Sequence, residues 1–351
     1  MKKAVTIKSI AEQLNLSRNT VAKALNGQYV PEKTRELVLK KAQEMNYKSL
    51  NLNHIEIGNK RYRILLVSGK PLNNINYFIP ILKGIENYCF EKNYEFFQYT
   101  YNLHRTPFTS FSEYVNDLNP DRIVAIECFD KNFIGKLINL GKPICFNDFT
   151  SYDVSYPQNY DIITTNDEKS VCDAVKLLRH KFDVTNFTFV GDHRHCLSFH
   201  ERHMGMVKGI FSSKGEHSRK DDILCSDESF DYGNPEAIKT EILKLRHRPD
   251  CFICCNDFVA RNVCNALKSL GLSIPQDALV VGFDNVSEAT AFAPEITTFS
   301  VDKEFLGRET LRTLVHRIEN PFIPSRMITV STNLILREST NRQIPGRNVS
   351  F

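Results

Sequence analysis

Arg18, Asn19 and Lys23 are side chains whose types and spacing could read DNA. Arg and Lys can pair with guanine O6 and N7, and Asn with adenine N6 and N7, so three such groups on one helix face make a base-reading surface. The apolar residues among them set that face. Val21, Ala24 and Leu25 turn inward at helical spacing, which leaves Arg18, Asn19, Ala22 and Lys23 outward. Ser17, just ahead of them, can accept a hydrogen bond from the amides of Asn19 or Thr20, as an N-cap does.

Two other groups of side chains invite metal chemistry. Cys251-Phe252-Ile253-Cys254-Cys255 contains a C-x-x-C, but the apolar run around it reads as a buried strand, and no second pair stands at zinc-ribbon spacing. His193, His195, Cys196, His200 and His203 read as a polar loop before a helix near Arg202 to Ser213. No metal is expected. The chain also lacks a phosphate-cradling Gly-rich loop and a nucleophile elbow, so neither cofactor nor enzyme activity is expected.

The DNA-reading face needs a small helical frame. Ile7, Ile10, Ala11 and Leu14 give a first helix one buried side, Asn15 ends it in a left-handed turn, and Leu16 plugs the core. A third helix from about Glu32 to Asn46, with Val38, Leu39, Ala42 and Met45 on one side, closes it. Two short helices joined by a tight turn, followed by a third, form a helix-turn-helix headpiece whose second helix enters a major groove.

From Arg63 the pattern changes. Short apolar runs predict strands at Ile64 to Val67, Tyr94 to Tyr99, Arg122 to Ile126 and Pro143 to Phe146, with helices near Ile79 to Lys92, Phe111 to Leu118 and Phe133 to Leu140. The series then repeats through strands at Asp161 to Thr165, Asn186 to Val190, Asp222 to Cys225, Cys251 to Cys255 and Leu279 to Phe283, again with helices between them. Apolar strands alternating with helices imply parallel sheets covered on both faces. After the headpiece, 351 residues leave room for two such α/β lobes. Residues 1–63 hold 13 Lys and Arg against 5 Asp and Glu, a balance of +8, while the rest of the chain carries −4. Positive charge is thus concentrated where DNA would lie. With no signal peptide, no run of 18 apolar residues and ten Cys, a cytoplasmic protein is expected, without membrane partners.

The N-terminal string Val5-Thr6-Ile7-Lys8, Leu16-Ser17, Thr20-Val21, Ala24-Leu25-Asn26-Gly27, Val30-Pro31-Glu32, Thr34-Arg35 and Tyr47 resembles the headpiece of LacI/GalR-family transcriptional regulators. The C-terminal half carries the resemblance too, in Glu201-Arg202-x-x-Gly205, Cys255-Asn256-Asp257, Gly271-Leu272-x-Ile274-Pro275, Val280-Val281-Gly282-Phe283-Asp284-Asn285 and Pro294-x-Ile296-Thr297-Thr298. It implies an all-α helix-turn-helix headpiece followed by an α/β two-lobe, periplasmic-binding-protein-like domain. The corresponding limits are 1–47 for the headpiece, 48–62 for a linker, 63–340 for the lobes with crossovers near 165, 294 and 325, and 341–351 for a polar tail. By carry-over, DNA contacts fall on Thr6, Ser17, Arg18, Asn19, Thr20, Lys23 and Asn26; Lys23 keeps the family's cation, whereas Ala22 stands where a phosphate-binding Ser is usual.

An effector, expected to be a sugar or sugar derivative, would bind between the lobes at Tyr77, Phe78, Asp148, Arg202 and Asp257. An Arg fork and carboxylates suit vicinal hydroxyls through paired, charge-assisted hydrogen bonds. Asp227-Glu228, with Phe230 beyond, stands where relatives carry an aromatic, which makes the pocket more polar. In the linker, Glu56 occupies the place of the family's minor-groove Leu, and a carboxylate between base steps would be repelled by phosphate. The resemblance implies a homodimeric, effector-controlled repressor of carbohydrate-utilisation genes on a pseudo-palindromic operator. With no apolar heptad after Glu338, a dimer is favoured over a tail-assembled tetramer. The altered linker and Ala22 leave open a cytosolic sugar-binding protein with a DNA-incompetent headpiece.

Overall fold

The computed structural model describes residues 5–25, 30–45, 47, 61–69, 75–102, 105, 107–150, 160–212, 223–227, 229–320 and 323–343. The chain divides into two compact units, Met1–Tyr62 with Val315–Ile323, and Arg63–Leu314 with Pro324–Phe351. Residues 48–60 of the linker, with Glu56, lie outside the described residues, as does Asn26.

In the first unit, α1 spans Ile7–Leu14, α2 Arg18–Leu25 and α3 Glu32–Glu44. Thr6 caps α1: its hydroxyl accepts from the Ser9 amide at 3.2 Å, and the Ser9 hydroxyl accepts from the Thr6 amide at 2.9 Å. Asn15 ends the helix at φ 50°, ψ 40°, a conformation that Asn tolerates better than most residues. Ser17 takes up its capping role on α2, with its hydroxyl accepting from the Thr20 amide at 2.9 Å. Ile10, Ala11, Val21, Ala24, Val38 and Ala42 form the buried core, with Ile7, Leu14, Leu16, Leu25 and Met45 packed around it.

The second unit holds two sheets. In the first, all parallel, the order is β11 (Met327–Val330), β5 (Tyr160–Thr165), β4 (Ile144–Asn147), β3 (Arg122–Ile126), β1 (Arg63–Ser68), β2 (Glu95–Thr100). The second runs β7 (Ile223–Leu224), β6 (Phe187–Val190), β8 (Cys251–Cys254), β9 (Leu279–Val281), also parallel. Single bridges from Val281 to Thr297 and from Asp284 to Ser300 tie the second sheet to β10 (Thr298–Ser300), which pairs antiparallel with β12 (Asn333–Ile335). β1, β3, β4, β6 and β8 are buried almost throughout, as strands covered on both faces must be.

The covering helices are α4 (Ile75–Glu91), α5 (Phe108–Leu118), α6 (Lys131–Ile138), α7 (Asp167–Phe182), α8 (Leu197–Ser212), α9 (Pro235–Leu243), α10 (Asp257–Ser269) and α11 (Lys303–Glu319). Two of them, α4 and α8, start a full helical turn or more before the sequence suggests. α4 begins at Ile75 and carries Pro80 inside it, so Tyr77 and Phe78 lie on its first turns and not in a preceding loop. α8 begins at Leu197, which places His200 and His203 on the helix and leaves only His193 and His195 in the turn before it.

The chain passes between the sheets three times, after Thr165, after Ser300 and after Val330. The last two passages fall later than 294 and 325. Thr297 and Ser300 must first bridge to the second sheet, and β11 must complete its register with β5, from Met327 opposite Ile162 to Val330 opposite Thr165. The helix packing is close where these passages meet. A Cβ on Gly205 of α8 would stand 2.4 Å from the Glu168 carbonyl oxygen of α7, so only glycine lets the two backbones approach this far.

Candidate effector cleft and nucleic-acid face

On the first unit, Arg18, Asn19 and Lys23 are exposed on α2, and among the described residues no ion pair engages Arg18 or Lys23. Thr6 and Ser17 serve as helix caps, and the Thr20 hydroxyl lies 2.8 Å from that of Ser17. The face therefore offers three free polar side chains held by a capped, packed frame.

In the second unit, the C-terminal strand ends of both sheets carry the polar groups. Asp148 follows β4 with φ 63°, Glu127 follows β3 with φ 56°, Cys225 follows β7 with φ 58°, and Asp284 lies beyond β9 at φ 99°. Non-glycine residues in this region are strained, and such strain concentrates where side chains are aimed for function.

Arg202 is the centre. It is 3% exposed, its Nε donates to Asp167 Oδ2 at 2.9 Å, its Nη1 to the Cys255 carbonyl, and its Nη2 lies 3.7 Å from Asp284 Oδ1. The guanidinium carbon sits 3.6 Å over the Phe283 ring. Burial works against this charge, yet Asp167 and Asp284 together outweigh it and hold the guanidinium above its ordinary value. Asp167 Oδ1 and Asp284 Oδ1 are buried and accept no hydrogen bond among the described residues. Burial also raises the Asp284 carboxyl and, together with Asp284, the Tyr77 phenol.

The lobes are bridged around this centre. The Phe149 carbonyl accepts from the Leu197 amide at 2.8 Å, and Asp148 Oδ1 accepts from the Ser198 amide at 3.2 Å, so a carboxylate of the first lobe caps the first turn of α8 in the second. Burial pushes the Asp148 carboxyl up to about 6. Asn76 Nδ2, on α4, donates to Ser287 Oγ at 2.6 Å, and Lys303 at the start of α11 donates to the Asp284 carbonyl.

These contacts decide how the five effector candidates stand. Tyr77, Asp148 and Arg202 come together electrostatically with Asp167 and Asp284. Asp148 is a helix cap and not a solvated loop carboxylate. Phe78 is only 6% exposed and edge-on to Tyr77 at 5.0 Å, a packing position and not an open stacking face. Asp257 is 0% exposed, with both oxygens engaged inside its own lobe: Oδ1 accepts from the Thr298 hydroxyl at 2.6 Å and Oδ2 from the Val286 amide at 2.9 Å. Its place is that of a buttress for the loop carrying Asp284. Burial and Asp284 push its carboxyl up to about 7.

Asp167, Asp284 and Lys303 escaped the sequence reading. Asp284 stood within the quoted Val280-to-Asn285 motif but was not assigned to the effector, although a carboxylate beyond a strand end was its signal; Asp167 and Lys303 are ordinary helix-start residues whose partners only folding reveals. Asp227 turns its carboxylate back on Ser229, at 2.8 Å from the amide, and Phe230 sits edge-on to Tyr232 at 5.1 Å. Among the described residues no group of three or more His, Cys, Asp or Glu is arranged to hold a metal ion, and no helix is long and apolar enough to cross a membrane.

A family model for a periplasmic binding protein-like domain matches residues 178–340. The HTH-type transcriptional repressor PurR of Mannheimia succiniciproducens is 25% identical over 350 residues, spanning 96% of this chain and 99% of its own. The repressor of the same name from Serratia proteamaculans is 27% identical over 359 residues, spanning 95% and 96%. Among solved structures, a transcriptional regulator CelR in complex with cellobiose matches with a TM-score of 0.68 at 19% identity, over 95% of this chain and 99% of that one. The Lac repressor dimer bound to operator and the anti-inducer ONPF matches at 0.63 and 19%, over 96% and 99%. The likeness to solved structures extends along both the headpiece and the two lobes.

Proposed function

We propose that this chain is a transcriptional repressor of the LacI/GalR family that binds operator DNA through α2 and responds to a small molecule held between its lobes, a reading supported by its likeness to PurR repressors along nearly its whole length. The observation that carries this reading is the pairing, in one chain, of exposed Arg18, Asn19 and Lys23 on a packed helix-turn-helix with a cleft that converges on Arg202. Arg18, Asn19 and Lys23 read bases in the major groove. Thr6, Ser17 and Thr20 hold the frame and reach phosphate from its edge.

The effector is a sugar or sugar derivative, and the regulated genes serve carbohydrate use. Orphan carboxylate oxygens beside a guanidinium support this, since hydroxyl pairs can donate to the first and accept from the second. Binding selects one angle between the lobes and so sets operator affinity. The protein works in the cytoplasm as a homodimer. Large apolar side chains left exposed support self-association: Ile79 at 50% and Phe90 at 87% on α4, Phe305 at 45% on α11, and Phe292 at 44% in the second lobe.

A mobility-shift assay with the DNA upstream of its own gene tests the central claim. A retarded complex is expected at low salt, weakened by about 1–3 kcal/mol in Arg18→Ala and in Lys23→Ala. No complex at low salt would overturn it and favour a sugar-binding protein with an idle headpiece. Thermal-shift screening of neutral sugars against nucleobases names the effector class, and stabilisation by nucleobases alone would remove the carbohydrate assignment.

A further inference from the structure

A second cavity, of about 360 Å³, opens on the outer side of α7. Two of the three passages between the lobes contribute to its wall, Asn166 from the first and Ser331 and Thr332 from the third, and Phe299 of β10 lies just before the second. Hydrogen bonds tie the first and third together there. The Thr332 hydroxyl donates to Ser170 Oγ at 2.8 Å, Ser170 Oγ donates to the Asn166 carbonyl at 2.6 Å, and the Asn166 amide donates to the Val330 carbonyl at 2.9 Å. A turn of one lobe on the other bends the chain at these two passages.

The cavity also communicates with the cleft through stacked rings. Phe299, 2% exposed, stacks on Phe283 at 4.8 Å between centroids, and Phe283 carries the Arg202 guanidinium at 3.6 Å on its face. A molecule that presses on Phe299 therefore presses on the residue at the centre of the effector cleft.

The lining states what such a molecule must be. Ala174, Leu177 and Leu334 join Phe299 as an apolar floor, while the hydroxyls of Ser331 and Thr332 and the Asn166 amide stand at the rim. The two charged side chains in the wall, Lys169 and Asp173, neutralise each other at 2.5 Å. The volume lies within the range of small-molecule pockets, about 300–1,000 Å³. We propose that this hinge cavity is a second ligand site, taking a small uncharged alcohol whose apolar body packs against Leu177 and Leu334 and whose hydroxyl meets the rim. Occupancy shifts the balance of lobe angles and thereby operator affinity, a coupling that rests on the regulator reading above.

The full-length protein permits a direct test with tryptophol, because the chain contains no Trp and the probe's indole fluorescence is read without background. Saturable binding of one probe per chain is expected, weakened about tenfold or more, equivalent to about 1.4 kcal/mol, by Ser331→Tyr and by Leu177→Glu. Both positions are exposed, so either variant suffices should the other fail to fold. Absence of saturation at millimolar probe, or binding undiminished in a folded variant, would overturn the site. Saturating tryptophol is further expected to change retention of the upstream DNA severalfold in the unmodified protein and not in Ser331→Tyr; binding without that change overturns the coupling. Failure of the unmodified protein to retain DNA with no probe present counts against the regulator reading and leaves the fluorescence result standing.

Discussion

A guanidinium that water cannot reach has to be neutralised where it sits, and Arg202 is neutralised by Asp167 and Asp284 while Phe283 supports its flat face. Removing it leaves two buried carboxylates facing each other. Arg202→Ala is expected to cost about 3–5 kcal/mol of stability, and Arg202→Lys to recover little of it, because an ammonium cannot make the fork or the stack. Urea titration of the three proteins checks this, and a loss below about 1 kcal/mol would show that the triad does not hold the cleft. Asp257 gives a prediction in pH. Its carboxyl rises from 3.8 to about 7 on folding, so the folded state binds the extra proton, and the stability this contributes is full below about 4 and lost as pH rises through 7. Asp257→Asn removes that loss, by at most roughly 4 kcal/mol. The unfolding midpoint of the unmodified protein is expected to fall, relative to that of the variant, between about pH 4 and 7; parallel profiles would refute the assignment. Arg202 was legible in the sequence through its Glu-Arg-x-x-Gly context, but Asp167 was not, since only the packing of α7 on α8 brings it within 2.9 Å.

That packing depends on glycine. At Gly205 an added Cβ would press on the Glu168 carbonyl oxygen, which belongs to the helix backbone and cannot swing aside. Gly205→Ala is therefore expected to cost about 1–3 kcal/mol and to weaken the effector response, because separating α8 from α7 also separates Arg202 from Asp167. Thermal melting with and without effector reads both effects, and an unchanged midpoint would show that the helices can part freely. At this scale the sequence was informative where burial is continuous, as in β1, β3 and β8. It was silent on α11 and β11. The buried side of α11 includes Lys303, Thr310 and Thr313 beside Leu306, Leu311 and Leu314, which blurs the apolar period. β11 is an edge strand whose residues alternate between exposed and half-buried, so it offers no apolar run. Pro80 masked the true start of α4, because a proline inside a helix ordinarily signals its boundary.

For the molecule as a whole, the exposed rings test the homodimer proposed above. Phe90 is 87% exposed near the end of α4 and carries no packing in the single chain. Phe90→Glu is expected to shift a dimer towards monomer in analytical ultracentrifugation and to reduce operator retention, with little change in the melting of the isolated chain. A monodisperse dimer in that variant would place the interface elsewhere. The two-unit plan was legible from residues 1–63 alone in charge and from the alternating strands in pattern. The order of the passages between lobes was less so, because it depends on which late strands pair with which early ones.

That order has a consequence for how the protein is made. β5 is finished at Thr165, but the strand that covers its open edge, β11, is not translated until Val330. At ribosomal rates of roughly 5–20 residues per second, the nascent first lobe waits on the order of 10–30 seconds with an unpaired parallel edge, while the whole second lobe emerges. An open edge of this kind is a template for pairing with other chains. Pairing of that open edge with neighbouring nascent chains is then the hazard expected for truncated or slowly translated copies of this chain.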